Sequence, residues 1–263
     1  SEREDLNKVF QLDFIGQDVN TFGIKHTFQI GTDWKESNVT TTSFDAKNVD
    51  QINVLQSINN YLPTSLNSDF GKGTSVNTLT STLGLMVQDV ITFNKYVKAH
   101  LGLRYSKING VAEGQAFDAF NPSLGIMLSP VENLNVFGSY TTTSALRSAN
   151  NPLVNGGTVG DSKSSQWEAG IKSDWLGEKL RFNVTLFDIK NDNLSYSVLN
   201  DQGNATGLYG LAGELKRTGV EVELIGRLLP NLQIMTGWAY LDAQYANSPA
   251  YVDGSAPMNS PKH

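Results

Sequence analysis

The stretch Leu83 to Tyr105, LGLMVQDVITFNKYVKAHLGLRY, limits what this chain can fold into more than any other. Every second residue builds one apolar face: Leu83, Leu85 and Val87, then, across a turn at Asn94 to Tyr96, Val97, Ala99, Leu101, Leu103 and Tyr105. The positions between them are polar or small, with Gly84, Gln88 and Thr92 before the turn and Lys98, His100, Gly102 and Arg104 after it. Side chains alternate faces along a strand, so this period of two on both flanks of a tight turn predicts an antiparallel hairpin with one apolar and one polar face.

The pattern repeats along the chain. Phe10, Leu12 and Phe14 alternate with Gln11 and Asp13, and Ile24, His26, Phe28, Ile30, Thr32 and Trp34 return beside them. Phe120, Pro122, Leu124, Ile126 and Leu128 turn near Pro130 into Leu134, Val136, Gly138 and Tyr140. Trp167, Ala169, Ile171 and Trp175 turn at Leu176 to Lys179 into Leu180, Phe182, Val184 and Leu186. Thr218, Val220, Val222 and Leu224 turn at Pro230-Asn231 into Leu232, Ile234, Thr236, Trp238 and Tyr240. That makes five hairpins, about ten strands, with tight turns at one end and connections of roughly 10 to 40 residues at the other. The longest connection is expected from Glu36 to about Asn77, with a helical turn within Val49 to Tyr61, and another loop from about Lys190 to Gly213.

Composition explains what the apolar face is for. Charged residues make up only 17% of the chain, below the roughly 25% of ordinary soluble domains, so much of the surface is expected to face something other than water. No apolar run is long enough for a membrane helix, but barrel strands cross a membrane by alternation alone. One-sided loop lengths and apolar segments of about nine to eleven residues match tilted membrane strands. Trp34, Tyr105, Tyr140 and Tyr240 all fall on the apolar face near the loop end of rising strands, where an aromatic belt belongs. The predicted fold is therefore all-β, an antiparallel transmembrane β-barrel wall. Asp89 breaks the apolar face, so a β-bulge or a position near the membrane interface is expected there.

The net charge of -6 argues against a nucleic-acid partner. The chain has no cysteine, which removes disulfides and thiolate metal sites. The charged start, Ser1 to Asp5, is no signal peptide, so for an exported protein a different native N-terminus is expected.

Val87-Gln88-Asp89, Leu101 to Tyr105, Asn121 to Gly125, Gln166 to Lys172, Leu186 to Ile189, and Gly219 to Glu223 follow one another in order along the chain. As a series these segments resemble the TonB-dependent outer-membrane receptors of the ferric-siderophore type. The likeness covers about residues 80 to 263. It implies location in the bacterial outer membrane, contact with its lipid, uptake of a ferric siderophore, energy from TonB through an N-terminal region not in this sequence, and no cofactor. It also implies a barrel of 22 strands closed around a plug. Residues 1–263 then read as a partial barrel domain, with the plug and flanking strands absent and two strand edges left unpaired. A passive porin-like or structural barrel, and a secreted β-sandwich adhesin or enzyme, are the alternatives.

No enzyme signature emerges. His26, His100 and His263 are scattered and form no zinc motif. Glu221 and Glu223 share a strand face about 7 Å apart, superficially like a glycosidase pair. Two lumen carboxylates facing Lys and Arg on neighbouring strands is the plainer reading. Gly71-Lys72-Gly73 lacks the strand and helix of a phosphate loop. A large, often aromatic or anionic chelate asks for aromatic and Arg side chains from loops and the upper lumen wall. Tyr61, Phe70, Phe117, Arg147, Tyr196 and Tyr209 are the candidates by chemistry and position, with ordinary loop packing as the alternative for each.

Overall fold

At the first tight turn Thr21 pairs with Ile24, leaving Phe22 and Gly23 as a two-residue loop with positive φ at both positions, 53° and 85°. This geometry matches the twist of an antiparallel pair, and glycine at the second position adopts it without Cβ strain. The Asn20 side chain closes the turn by accepting the Gly23 N–H at 3.0 Å. Asn94 does the same at the central hairpin, its Oδ1 accepting from the backbone of Tyr96 and Val97.

The computed structural model describes residues 1–44, 46, 47, 69, 70, 72–110, 116–146, 151–258 and 260. Their strands are β1 (Glu2–Thr21), β2 (Ile24–Ser43), β3 (Ala46–Lys47), β4 (Asp69–Phe70), β5 (Thr74–Thr92), β6 (Val97–Asn109), β7 (Ala116–Val131), β8 (Leu134–Ala145), β9 (Ser162–Trp175), β10 (Leu180–Leu199), β11 (Ala205–Leu229) and β12 (Leu232–Ala246). Ten of them form one antiparallel sheet in chain order, β1-β2-β5-β6-β7-β8-β9-β10-β11-β12, and β3 pairs with β4 apart from it. This meander of five hairpins is the expected one. Among the described residues no second sheet packs on it and β1 does not touch β12. The single layer rules out the β-sandwich alternative, which needs two packed inner faces.

The strands outrun their expected lengths. β2 continues past Trp34 to Ser43 and β5 begins at Thr74, which shortens the expected connection from Glu36 to Asn77. The expected loop from Lys190 to Gly213 is instead the end of β10 and the start of β11, joined by 200–204. Backbone pairing continues there without an apolar face, so the period of two that marks strands elsewhere is missing. The expected helical turn within Val49 to Tyr61 lies outside the described residues.

Burial divides the sheet. The buried apolar residues are Ile108, Ala119, Leu146, Val159, Ala212, Leu215 and Ala243, all on the loop side of the aromatic positions. On the apolar face between loops and turns the large side chains stand bare, with Trp167 62%, Leu186 56% and Ile126 52% exposed. An apolar surface this extensive requires a non-aqueous cover.

The aromatics mark two edges of that surface. On the loop side Trp34 pairs with Phe10, the Tyr105 and Phe120 rings lie 4.9 Å apart, and Tyr140 and Trp167 lie 4.6 Å apart. This row steps across the hydrogen-bonded rows of the sheet, as tilted strands require. A second row, missed in the sequence, lies at the turns, where Phe22, Phe93, Tyr96 and Trp175 are all exposed. Trp167 and Trp175 share one face of β9 about 26 Å apart along the strand, which at a tilt of about 35–45° is roughly 18 to 21 Å of height, most of the apolar band of an outer-membrane barrel.

Asp89 causes no bulge. Its pairings with Phe28 and Leu101 are in unbroken register, and it lies near the turns, as the second of the two expectations had it. The irregularity nearby is in β1, between Gly16 and Val19.

Candidate functional site

The polar face carries a ladder of side chains that bridges strand after strand. Asp13 of β1 accepts from Gln11 at 2.7 Å and from Gln29 of β2 at 2.9 Å, and Gln29 in turn accepts from Gln88 of β5 at 2.8 Å. One row nearer the loops, Arg104 of β6 reaches across β5 to hold both carboxylate oxygens of Asp33 at 2.8 and 3.0 Å. Gly84 sits beneath that reach. A Cβ there would stand 2.2 Å from the Arg104 guanidinium, so the glycine is what lets the ion pair lie flat on the wall.

Above this ion pair the wall opens into a cavity of about 700 Å³. Arg3, Lys35 and Arg104 give it positive charge, Asp5 and Asp33 partly balance it, and Ile108 and Leu146 form an apolar border. Phe117, a sequence candidate, packs against the buried Ile108, Ala119 and Leu146. Its part is to support that border.

The second concentration of candidate side chains is at the loop ends of β10 to β12. Tyr245 lies in the same row of alternate positions as Ala243, paired with Leu215, and so faces the side that carries Glu221 and Arg217. The chain then turns back, so that Tyr245 N–H donates to Ser255 O at 2.9 Å and Gly254 N–H to Tyr245 O at 2.8 Å. That return stacks Tyr251 on Tyr245, with ring centres 4.2 Å apart and 17° between planes. Tyr196 meets Tyr251 edge-on at 6.5 Å. Tyr196 is 40% and Tyr251 43% exposed, so both offer ring surface outward. Three tyrosines in contact make a platform for a flat or ring-bearing ligand.

Of the sequence candidates, the structure brings only Tyr196 into this group. Tyr209 pairs with Ser197, one step from the Tyr196–Gly210 pair, and so projects from the opposite face. Its backbone anchors the segment after β8, donating to Pro152 O and accepting from Val154, each at 2.9 Å. Phe70 lies in β4, paired with Ala46. Tyr61 and Arg147 lie outside the described residues. Tyr245 and Tyr251 were missed because 242–260 reads as a loop, although Leu241, Ala243 and Tyr245 continue one strand face.

The expected basic partners of Glu221 and Glu223 are not what their surroundings provide. Glu223 accepts from Asn183 at 3.0 Å, and Asn183 stands between it and Lys172 on β9. Glu221 lies between Thr185 and Ala239. Among the described residues no group of three or more His, Cys, Asp or Glu could hold a metal ion.

Just beyond the loop-side aromatic row, Lys190 of β10 binds Asp192 at 3.0 Å and Glu214 of β11 at 3.1 Å. Hydrogen bonds to Asp192 and then Glu214 raise the Lys190 pKa. Burial pushes Glu214 upward, but the hydrogen bonds from Lys190 and Asn247 outweigh it and hold this carboxyl below the usual range.

Residues 2–263 match the family model described as TonB dependent receptor-like, beta-barrel. The chain belongs to the TonB-dependent receptor family. These receptors are outer-membrane barrels, so the apolar face of the sheet meets lipid, the polar face lines the lumen, the tight turns are periplasmic and the long connections extracellular. The metal-pseudopaline receptor CntO of Pseudomonas aeruginosa is 22% identical over 98% of this chain and 37% of its own length. The ferric-pyoverdine 358 receptor of Pseudomonas putida is 29% identical over 48% of this chain and 15% of its own. Among solved structures, BauA, the ferric preacinetobactin receptor of Acinetobacter baumannii, superposes with a TM-score of 0.74 at 19% identity, covering 99% of this chain and 40% of that one. The chain thus spans less than half the length of the receptors it matches.

Proposed function

We propose that this segment is part of the wall of a receptor that captures a ferric siderophore outside the cell and admits it across the outer membrane with energy from TonB. The carrying observation is that the loop side of the wall holds both a tyrosine platform, at the ends of β10 to β12, and, several strands away, a cavity in which Arg3, Lys35, Arg104 and Lys107 outnumber Asp5 and Asp33. A ferric chelate, large and often aromatic or anionic, asks for both. The ligand specificities in the relatives' names, metal-pseudopaline and ferric pyoverdine, support the same ligand class. In this reading the complete receptor closes about 22 strands around a plug. TonB acts on that plug, and the protein carries no catalysis of its own.

The test uses the complete receptor in cells starved of iron. Tyr251→Ala or Tyr245→Ala weakens ferric-siderophore binding about five- to tenfold, the worth of one lost ring contact, while the amount of folded receptor in the outer membrane is unchanged. Uptake stops when TonB is removed. Uptake that persists without TonB would make the protein a passive porin, and unchanged affinity in both tyrosine variants would put the ligand elsewhere.

A further inference from the structure

Two polar residues on the lipid-facing side find each other. His26 of β2 and Asp89 of β5 interrupt faces that are otherwise apolar around them, with Phe28, Ile30, Val87 and Leu101 as neighbours in the paired rows. His26 Nδ1 lies 2.7 Å from Asp89 Oδ2, and each side chain keeps about a quarter of its surface, 26%, exposed. The β2–β5 register through both residues is unbroken, and the one irregularity at their level lies on the far side of β2, where β1 shifts between Gly16 and Val19.

Their depth is set by the aromatics. His26 lies about 26 Å along β2 from Trp34, the same separation as Trp175 from Trp167 on β9. His26 therefore stands level with the turn-side aromatic row, where the periplasmic leaflet presents its headgroups. Asp89 is about 7 Å further into the wall, and its Oδ1 is covered and has no partner.

The hydrogen-bond chemistry narrows what can dock there. A carboxylate only accepts, so the shared proton sits on His26 Nδ1, and in the singly protonated ring Nε2, on the side away from Asp89, is left as an acceptor. An acceptor at headgroup depth calls for a donor, and the negative carboxylate behind the ring favours a cationic one. We propose that His26, backed by Asp89, is a contact site for the primary ammonium headgroup of an ethanolamine phospholipid in the periplasmic leaflet. A choline headgroup is cationic but has no N–H, and an anionic glycerol headgroup is opposed by Asp89.

The complete receptor in mixed bilayer discs containing equal ethanolamine, choline and glycerol phospholipids provides the test, read as lipids retained in native mass spectrometry. Ethanolamine lipid is retained about fivefold over choline lipid, the worth of one modest hydrogen bond. His26→Leu abolishes the preference, and His100→Leu, on the lumen side of β6, keeps it. Should the leucine variant fail to assemble, His26→Lys replaces it. Lysine has donors but no acceptor, so the ethanolamine preference is again lost. Equal retention of ethanolamine and choline lipids by the unaltered receptor, preferential retention of the glycerol lipid, or a preference that survives at position 26 would each overturn the proposal.

Discussion

The band between the two aromatic rows and the sheet above it share one set of strands and one backbone ladder, yet they are held together differently. In the band, apolar side chains such as Leu124 and Ile126 are 48% and 52% exposed on the protein alone, and lipid completes their burial. Above the outer row both faces meet water, and the protein must supply its own cover. The buried apolar residues Ile108, Ala119, Leu146, Leu215 and Ala243 all lie there, few among the described residues. The rest is held by side-chain bonds such as Lys8–Glu36 and Lys190–Glu214. The lower region is stable because of where it is, and the upper region because of what it contacts within the chain.

Substitutions can break that comparison. The largest effect is expected for Leu124→Arg, midway between the rows on the lipid face, which should destabilise the folded barrel by about 2 to 4 kcal/mol. Urea unfolding in lipid vesicles measures it, and a change below 0.5 kcal/mol (roughly the noise of a surface substitution) would mean that Leu124 does not meet lipid. Next comes Ile108→Ala, which removes a buried side chain above the row and should cost about 2 to 4 kcal/mol locally. Hydrogen exchange should quicken in 106–110 and 116–119 and leave the band unchanged, and uniform loss of protection across β6 and β7 would show one cooperative unit instead of two. The smallest effect is that of pH on the Lys190–Glu214 bond. Because the Glu214 pKa is lowered by folding, its contribution is complete above about pH 4.3, the unfolded value, and is lost as pH falls through the lower folded value. Glu214→Gln should therefore flatten the acid limb of exchange protection around β10 and β11 without touching the band.

The sequence was legible where lipid imposes a rule and opaque where it does not. Residues such as Leu101, Leu103 and Tyr105 alternate because one face meets hydrocarbon, and the five tight turns follow from where that alternation breaks. Beyond Trp34 and Asp188 no such rule operates, so the upper parts of β2, β10 and β11 read as loop although the strands stay paired, β10 with β11 through three register irregularities. The turn-side aromatics Phe22 and Tyr96 were missed because they stand in turns, outside any alternating face. The tyrosine platform was half legible. Tyr196 could be chosen by chemistry, but its contact with Tyr251 depends on the chain folding back along β12, a tertiary event with no local mark. The same limit placed Tyr209 with the candidates when its side chain leaves the other face.

Phe187 lies over Gly219 and Phe137 over Gly170, so close that a Cβ on either glycine would fall 2.5 or 2.8 Å from the neighbouring ring. A phenyl ring laid flat takes about 3.5 Å of radius, its own thickness, where the same ring standing up takes roughly twice that. The paired glycines therefore act as recesses that draw bulky rings against the sheet, and the free width beside this wall is set as much by where it lacks side chains as by where it has them.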